Sequence, residues 1–411
     1  MPALLATTYR EACLWQEQVP RPQATTAALP AEADVVVIGA GYTGLSAARA
    51  ATEAGASVVV LEKETLGTGA STRNGGMVIP ELKASPAKLV KKLGDLGRRL
   101  YEEVDEAFDV LEHLAPALDC DYARTGQLYL AHTPRHTADT RALAAELPGV
   151  DFLDAEQVHQ RIGSSAFDSG AFFERVGGLH PAKYHAGLVR LSGAQIHDRT
   201  AAVRIHPGFH VETTRGDIRA DHLILATNAY ADAAMPHLAA KVVPINSYII
   251  ATEPLPEDVQ DLIGPQMMVD TKNLLFYWRL TPDGRMAFGG RRSLDAAEVS
   301  AARDYLYDEM VRIHPQLAGV AVEYAWTGYV AMTLDRLPHV GTVDGAWYAT
   351  GCNGTGVSLN SWLGYRLGQV VTGQAPPPAF AELKHPGIPL KPLSSSYLPL
   401  VGKWFALQDR R

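Results

Sequence analysis

Three glycines, Gly39, Gly41 and Gly44, stand at the spacing G-x-G-x-x-G, and an acid, Glu62, follows 18 residues after the last of them. The spacing alone is a weak signal, but its context strengthens it, because the glycines follow a β-branched run and open a helix of small residues. There the first glycine permits a tight turn, the second lets backbone approach a pyrophosphate, and the third lets helix and strand pack closely. The anion sits on the helix N-terminus, whose free N–H groups and dipole favour negative charge. At Glu62 a carboxylate can accept hydrogen bonds from an adenosine ribose, and it repels a 2′-phosphate, which disfavours NADP. These residues do not choose between NAD and FAD.

That choice falls to the next stretch. After Glu62 the chain does not run straight into another helix but enters LGTGASTRNGGM, a glycine-rich segment with an arginine, an asparagine and several hydroxyls. Backbone N–H groups in such a loop can line a phosphate or a ring edge, and glycines let it lie flat against a planar ring. The loop favours a large, enclosed cofactor, hence FAD over NAD.

The elements that must position these residues can be read around them. DVVVIGAGYTGLSAARATEAGASVVVLEKE is a βαβ unit whose strands read as buried on both faces. ADHLILATNAY reads as a further strand of that sheet, and AWYATGCNGTGVSLNSWLG repeats the grammar of strand, glycine turn and helix. Between them, SPAKLVKKLGDLGRRLYEEVDEAFDVLEHLAPAL carries two amphipathic helices. NSYIIATE, NLLFYWRL and GRMAFGG alternate as in an antiparallel sheet with one face toward ligand or solvent. The expected fold class is α/β, a Rossmann-like FAD-binding domain of discontinuous segments plus an α+β substrate domain with a mostly antiparallel sheet. The expected division is a lead-in at 1–33, an FAD-binding domain at 34–84, 179–230 and 326–375, a substrate domain at 85–178 and 231–325, and a tail at 376–411.

At 411 residues the chain exceeds what one core usually supports, in keeping with two domains. With 20% charged residues and a net charge of −8 it carries no nucleic-acid footprint. Its three cysteines, Cys13, Cys120 and Cys352, are odd in number and far apart, which argues against a disulfide framework or a cysteine-based zinc site. With no signal-peptide pattern and no long apolar run, the expectation is a cytoplasmic protein without a membrane span. His180, His185 and His197 are spread over helix and turn and suggest no metal site.

The sequence resembles the glycine oxidase and D-amino-acid oxidase superfamily of FAD-dependent oxidoreductases. The carrying segments are DVVVIGAGYTGLSAA, VVVLEKETLGTGASTRNGG, GGLHPAKY, LILATNAY, YWRLTPDGRMAFGGR, WTGYVAMTLDRLPHVG and ATGCNGTGVSLNSWLG, in family order over most of the chain. The resemblance implies FAD, expected to be non-covalent because Gly328 stands where some relatives carry a flavin-linking cysteine. It places Gly39, Gly41, Tyr42, Thr43 and Gly44 at the pyrophosphate and Glu62 and Lys63 at the adenosine. Ala70, Ser71, Arg73, Asn74, Gly75, Gly76 and Met77 run alongside the flavin, Ala202 lies at adenine, and Ala226 and Thr227 lie in LILATNAY. Gly351, Asn353, Gly354, Thr355, Gly356 and Val357 bring a helix N-terminus to the pyrimidine edge, where reduced flavin is negative.

Two departures from the family pattern matter. The position of a flavin-linking cysteine in sarcosine-oxidase relatives is Gly328 here, and Cys352 is the alternative attachment point. The position of a lysine that helps reduced flavin meet oxygen is Ala287, with Lys272 as a substitute, so the acceptor is oxygen or another molecule. The implied reaction removes a hydride equivalent from the carbon beside an amine nitrogen. Candidates for the substrate wall are Tyr248, Phe276, Trp278, Tyr329 and Met332, each equally readable as a core residue. Lys272 or Arg279 is the candidate for a carboxylate, and His180 and Lys183 read equally as turn or site residues. The expected catalytic set is Tyr248, Trp278, Tyr329 and Lys272. Three functions stand: an FAD amine or amino-acid oxidoreductase, including a D-amino-acid-type dehydrogenase with a non-oxygen acceptor; an NAD-linked dehydrogenase; and a flavin-binding subunit without independent catalysis.

Overall fold

The computed structural model describes residues 3–294 and 296–409. Its first layer grows from the βαβ unit: strand Glu32–Ile38, helix Tyr42–Glu53 and strand Val58–Leu61. The two strands pair in parallel, Val36 opposite Val59 and Ile38 opposite Leu61. Unbroken β-branched runs suit strands covered on both faces, and Val36, Val37 and Val60 are fully buried. Strands Gln195–His197, Gly216–Leu225 and Ala346–Thr350 join them in parallel within an eight-stranded sheet. Their carboxyl ends therefore share one edge, where ligands of open α/β sheets bind.

Helix Gly356–Val371 packs on helix Tyr42–Glu53 at a distance that only glycine allows. A Cβ on Gly364 would lie 2.0 Å from the Thr43 carbonyl oxygen, and one on Gly368 would lie 2.3 Å from that of Ala47. Each helix follows a parallel strand, so both N-termini open on the same edge.

The second sheet has nine strands, in the order Leu5–Arg10, Val322–Met332, Val243–Thr252, Met286–Gly290, Tyr277–Leu280, Met267–Asp270, Gln127–Ala131, Ser169–Phe173 and Val150–Asp154. Only the pairings of Leu5–Arg10 with Val322–Met332 and of Met267–Asp270 with Gln127–Ala131 are parallel. Helix Val299–Ile313 covers one face, burying Leu306 and Met310 in a core with Phe276, Trp278 and Phe288. A mostly antiparallel sheet with one face packed and the other open matches the expected fold class.

The expected division of the chain differs from this arrangement at four places. Residues 1–33 are not a patternless lead-in, since Leu5–Arg10 is an edge strand and the short helix Leu14–Gln18 buries Trp15 completely; such short elements carry too little periodicity to read. Helices Pro86–Leu93 and Asp95–Leu118 bury Leu89, Leu100 and Leu111 in the core of the first layer rather than in the substrate domain. Periodicity reports that a helix has an apolar face, not what that face meets. The boundary at 326 falls inside strand Val322–Met332, which pairs along Val243–Thr252 in the second sheet. The tail at 376–411 contains helix Ser394–Gln408.

Candidate active site

The glycine turn is built as its spacing requires. Gly39 has φ +105° and donates its amide to the Leu61 carbonyl at 2.8 Å. A Cβ on Gly44 would sit 1.9 Å from the Gly39 carbonyl oxygen, so the third glycine is a packing residue behind the turn. Gly41 caps helix Tyr42–Glu53 without a side-chain hydrogen bond. Glu62 accepts the amides of Ala40 at 2.9 Å and Glu64 at 3.0 Å, and burial raises its carboxyl above the usual carboxylate range. Lys63 reaches the same cavity, but its ammonium pairs with Asp232 at 3.2 Å.

The glycine-rich loop is pinned from several sides. Asn74 donates to the Ala70 and Ser71 carbonyls and accepts the Gly76 amide at 2.8 Å. Ser71 Oγ accepts the Tyr42 amide at 3.1 Å, tying the loop to the helix N-terminus. Arg73 donates to the Thr68 carbonyl at 2.8 Å and to that of Thr327, in the second sheet, at 3.1 Å. Trp326 and Trp15 donate their indole N–H groups to the carbonyls of Arg73 and Asn74, both at 2.9 Å. Gln16 and Cys13 reach the Gly67 and Thr72 carbonyls. The sequence reading missed Trp15 and Gln16; the buried aromatic at Trp15 was the one available signal.

These segments wall one cavity of about 1440 Å³. Gly39, Gly41, Tyr42, Thr43, Glu62 and Lys63 line one end, with Ala202, Ala226 and Thr227. Ala70, Ser71, Arg73, Asn74, Gly75 and Met77 line its middle, and Asn353 to Val357 reach it from the other helix N-terminus. Three expected contacts lie behind the wall. Besides Gly44, a Cβ on Gly76 would meet the Leu179 carbonyl at 2.2 Å, and Gly351 turns at φ +83° while donating to Asn228 Oδ1 at 3.0 Å. His185, missed as a site residue, lines the cavity with its Nε2 donating to the Ala40 carbonyl at 2.8 Å and its buried Nδ1 unpartnered.

On the side of the second sheet the expected set divides. Tyr329, Met332 and Lys272 line the cavity. Trp278 and Phe276 do not: both are buried in the core under helix Val299–Ile313, and the Trp278 indole donates to His314 Nε2 at 2.9 Å. Tyr248 is also a core residue, its hydroxyl exchanging hydrogen bonds with the Ala297 backbone at 2.9 and 2.7 Å. These are corrections of parity, because successive side chains of a strand point to opposite faces. The residue between Phe276 and Trp278, Tyr277, is the one in the cavity wall. A Cβ on Gly75 would come 3.1 Å from its ring, and its hydroxyl meets Ser247 Oγ at 3.0 Å.

Arg279 is likewise not a cavity cation, since it donates to the Leu179 carbonyl at 2.8 Å and stacks over Trp15. Arg291 lines the cavity instead, with its Nε unpartnered and no ion pair among the described residues; burial lowers its pKa. His180 holds Gln18 and the Lys183 amide, and Lys183 pairs with Asp121 at 2.7 Å, away from the cavity. Ala287 is buried in a core with Trp15 and Trp326. Gly328 lines the cavity beside Arg73, whose Cβ would lie 3.1 Å from a Cβ placed on the glycine, and Cys352 also lines it. Among the described residues no cluster of metal-ligating side chains occurs, and no helix is long and apolar enough to cross a membrane.

A dinucleotide turn, a second open helix N-terminus and a chamber between two sheets define a nucleotide-dependent oxidoreductase. The family model for FAD dependent oxidoreductases matches residues 34–369, and the chain belongs to that family. It is 32% identical over 398 residues to gamma-glutamylputrescine oxidoreductase of Escherichia coli (strain K12), covering 92% of this chain and 93% of that protein. It is 33% identical to the probable oxidoreductase OrdL of Haemophilus influenzae, covering 83% of each chain. Glycine oxidase from Geobacillus kaustophilus superposes with a TM-score of 0.75 at 19% identity, over 87% of this chain and 100% of that one. FAD is thus the dinucleotide this chain uses. The residues fit it: the volume exceeds the roughly 300–1,000 Å³ of an ordinary small-molecule site, both helix N-termini are without side-chain caps, and His185 Nδ1 awaits a donor.

Proposed function

We propose that this protein oxidises the C–N bond of a small amine or amino acid, a secondary or terminal amine being favoured. The observation that carries the reading is continuity: the cavity of the dinucleotide turn runs past the loop 69–77 into a chamber walled by Tyr277, Tyr329, Lys272 and Arg291. Bound FAD supplies the hydride acceptor, and the resulting imine hydrolyses in water. The relatives named for gamma-glutamylputrescine and glycine oxidation support an amine donor.

In this reading the amides at the start of helix Tyr42–Glu53 hold the pyrophosphate, and Glu62 takes the adenosine ribose. The loop 70–77 lies beside the flavin, with the N-terminus of helix Gly356–Val371 at its pyrimidine edge. Tyr277 and Tyr329 orient the amine and shed its water, and their rings tolerate a partial positive charge. Arg291, rather than Arg279, is the cation placed to meet a carboxylate. FAD is non-covalent in this reading, since Gly328 offers no thiol and Cys352 stands as a residue of the glycine turn. The cysteines are free, in keeping with a cytoplasmic setting.

The test is anaerobic titration of the purified yellow protein with secondary amines, polyamines and D- and L-amino acids, followed by admission of oxygen. Bleaching by an amine or amino acid is expected; a flavin that no member of the panel bleaches would leave a binding subunit and sink the enzymatic reading. Recolouring in air assigns an oxidase. Its absence assigns a dehydrogenase with another acceptor, a reading favoured by the apolar burial of Ala287.

A further inference from the structure

Residues 271–276 join strands Met267–Asp270 and Tyr277–Leu280 and present Thr271, Lys272 and Asn273 to the chamber. Outside the ladder, their amides need partners of their own. From within, buried Asp270 accepts the Phe276 amide at 2.9 Å and the Lys272 amide at 3.4 Å, with its second oxygen 3.8 Å from the Lys272 ammonium. From outside, Asp409 Oδ1 accepts both the amide and the Nδ2 of Asn273 at 2.8 Å, and its Oδ2 accepts the Leu274 amide at 3.0 Å.

Asp409 directly follows helix Ser394–Gln408, at the end where the helix dipole disfavours a carboxylate. Three donors from the chamber loop offset that cost. The chain arrives there as a strap: the Ile388 amide donates to the Ala240 carbonyl at 3.1 Å and Lys391 Nζ to that of Val242 at 2.6 Å. Gly402 then packs so closely on Leu294 that a Cβ would lie 3.1 Å from its amide nitrogen. The strap thus touches the two chain segments that carry Lys272 and Arg291 into the chamber.

The geometry points to Asp409 as a positioning residue for the substrate chamber. By bonding the amides of Asn273 and Leu274 it holds the wall on which Lys272 stands, and it does so without touching substrate. This rests on the chamber being the amine site.

The test uses full-length holoenzyme carrying Asp409→Ala, Lys272→Met or both, with the amine that reduces the flavin fastest in the titration above. Asp409→Ala is expected to raise KM about tenfold, to change kcat less than about threefold and to leave FAD retention intact. The double variant is expected to be no worse than the more affected single one, because the two residues act through one wall. Amide exchange in 271–276 is expected to rise. A KM within about twofold of the parent, additive losses, or unchanged exchange would each overturn the assignment. If Asp409→Ala does not accumulate as folded protein, Asp409→Asn, which keeps the oxygen facing Asn273, carries the same comparison. If no amine reduces the flavin, the proposed activity fails separately, and exchange together with iodide quenching of flavin fluorescence decides. Faster exchange with stronger quenching supports the strap, and absence of either change overturns it.

Discussion

Tyr277 and Trp278 are adjacent in sequence and belong to different worlds: the Tyr277 hydroxyl meets Ser247 Oγ at 3.0 Å in the chamber wall, while the Trp278 indole donates to His314 at 2.9 Å in the core. One strand therefore carries function on one face and stability on the other.

Opposite consequences follow for the two rings. Tyr277→Phe is expected to lower turnover on the order of tenfold through lost orientation, with an unchanged melting temperature. Trp278→Phe is expected to destabilise by about 2–3 kcal/mol, from a cavity and an unpaired His314 Nε2, with turnover of the folded fraction retained. Thermal melts beside steady-state rates check both, and a swapped outcome would return Trp278 to the site.

The glycines of the turn are expected to fail in different ways. At Gly44 an added methyl would collide with backbone at 1.9 Å, so Gly44→Ala should not yield a folded protein that retains FAD. At Gly41 the obstacle is the Ser71 hydroxyl at 2.9 Å, a side-chain atom able to shift. Gly41→Ala should fold and bind FAD about tenfold or more weakly, since the methyl enters the space for the pyrophosphate. Fluorescence titration of apoprotein with FAD measures the difference.

Arg73 bridges the glycine-rich loop to the second sheet through the carbonyls of Thr68 and Thr327. Charged hydrogen bonds of this kind are worth about 1.5–3 kcal/mol each. Arg73→Ala is expected to lose FAD on ultrafiltration and to turn over more slowly. Undiminished FAD retention and turnover would remove the loop from the cofactor site.

The pH dependence of stability follows from buried groups of opposite sign. Burial lowers His314 and His180 from 6.5 to about 4. Their neutral forms stabilise the fold fully above 6.5, and that contribution is lost as pH falls toward 4. Burial raises Asp270 from 3.8 to about 7, outweighing the Lys272 ammonium, so its neutral form is the favoured one and its contribution is lost as pH rises through 7. The melting temperature should therefore peak between about pH 6 and 7. Asp270→Asn should raise it at about pH 8 and leave it unchanged at about pH 4, which differential scanning measures directly.

The glycine-turn half of the candidate site was legible because its geometry is local. Gly39, Gly41, Gly44 and Glu62 lie within one βαβ unit, where spacing and position are the same statement, and the loop after Glu62 carries its own polarity. The substrate half was legible only in part. Lys272, Tyr329 and Met332 reach the chamber, but Tyr248 and Trp278 do not, because an alternating run names two faces without saying which one meets the core.

Spacing along the chain was thus enough for the turn, the glycine-rich loop and the two-sheet class, since each depends on residues a few positions apart. Which face of Tyr277–Leu280 turns inward, which layer takes helix Asp95–Leu118, and how Trp15 and Asp409 come to brace loops far from them in sequence all depend on long-range packing. Burial of apolar surface has no direction of its own, so those choices were made by the whole molecule closing around one cavity.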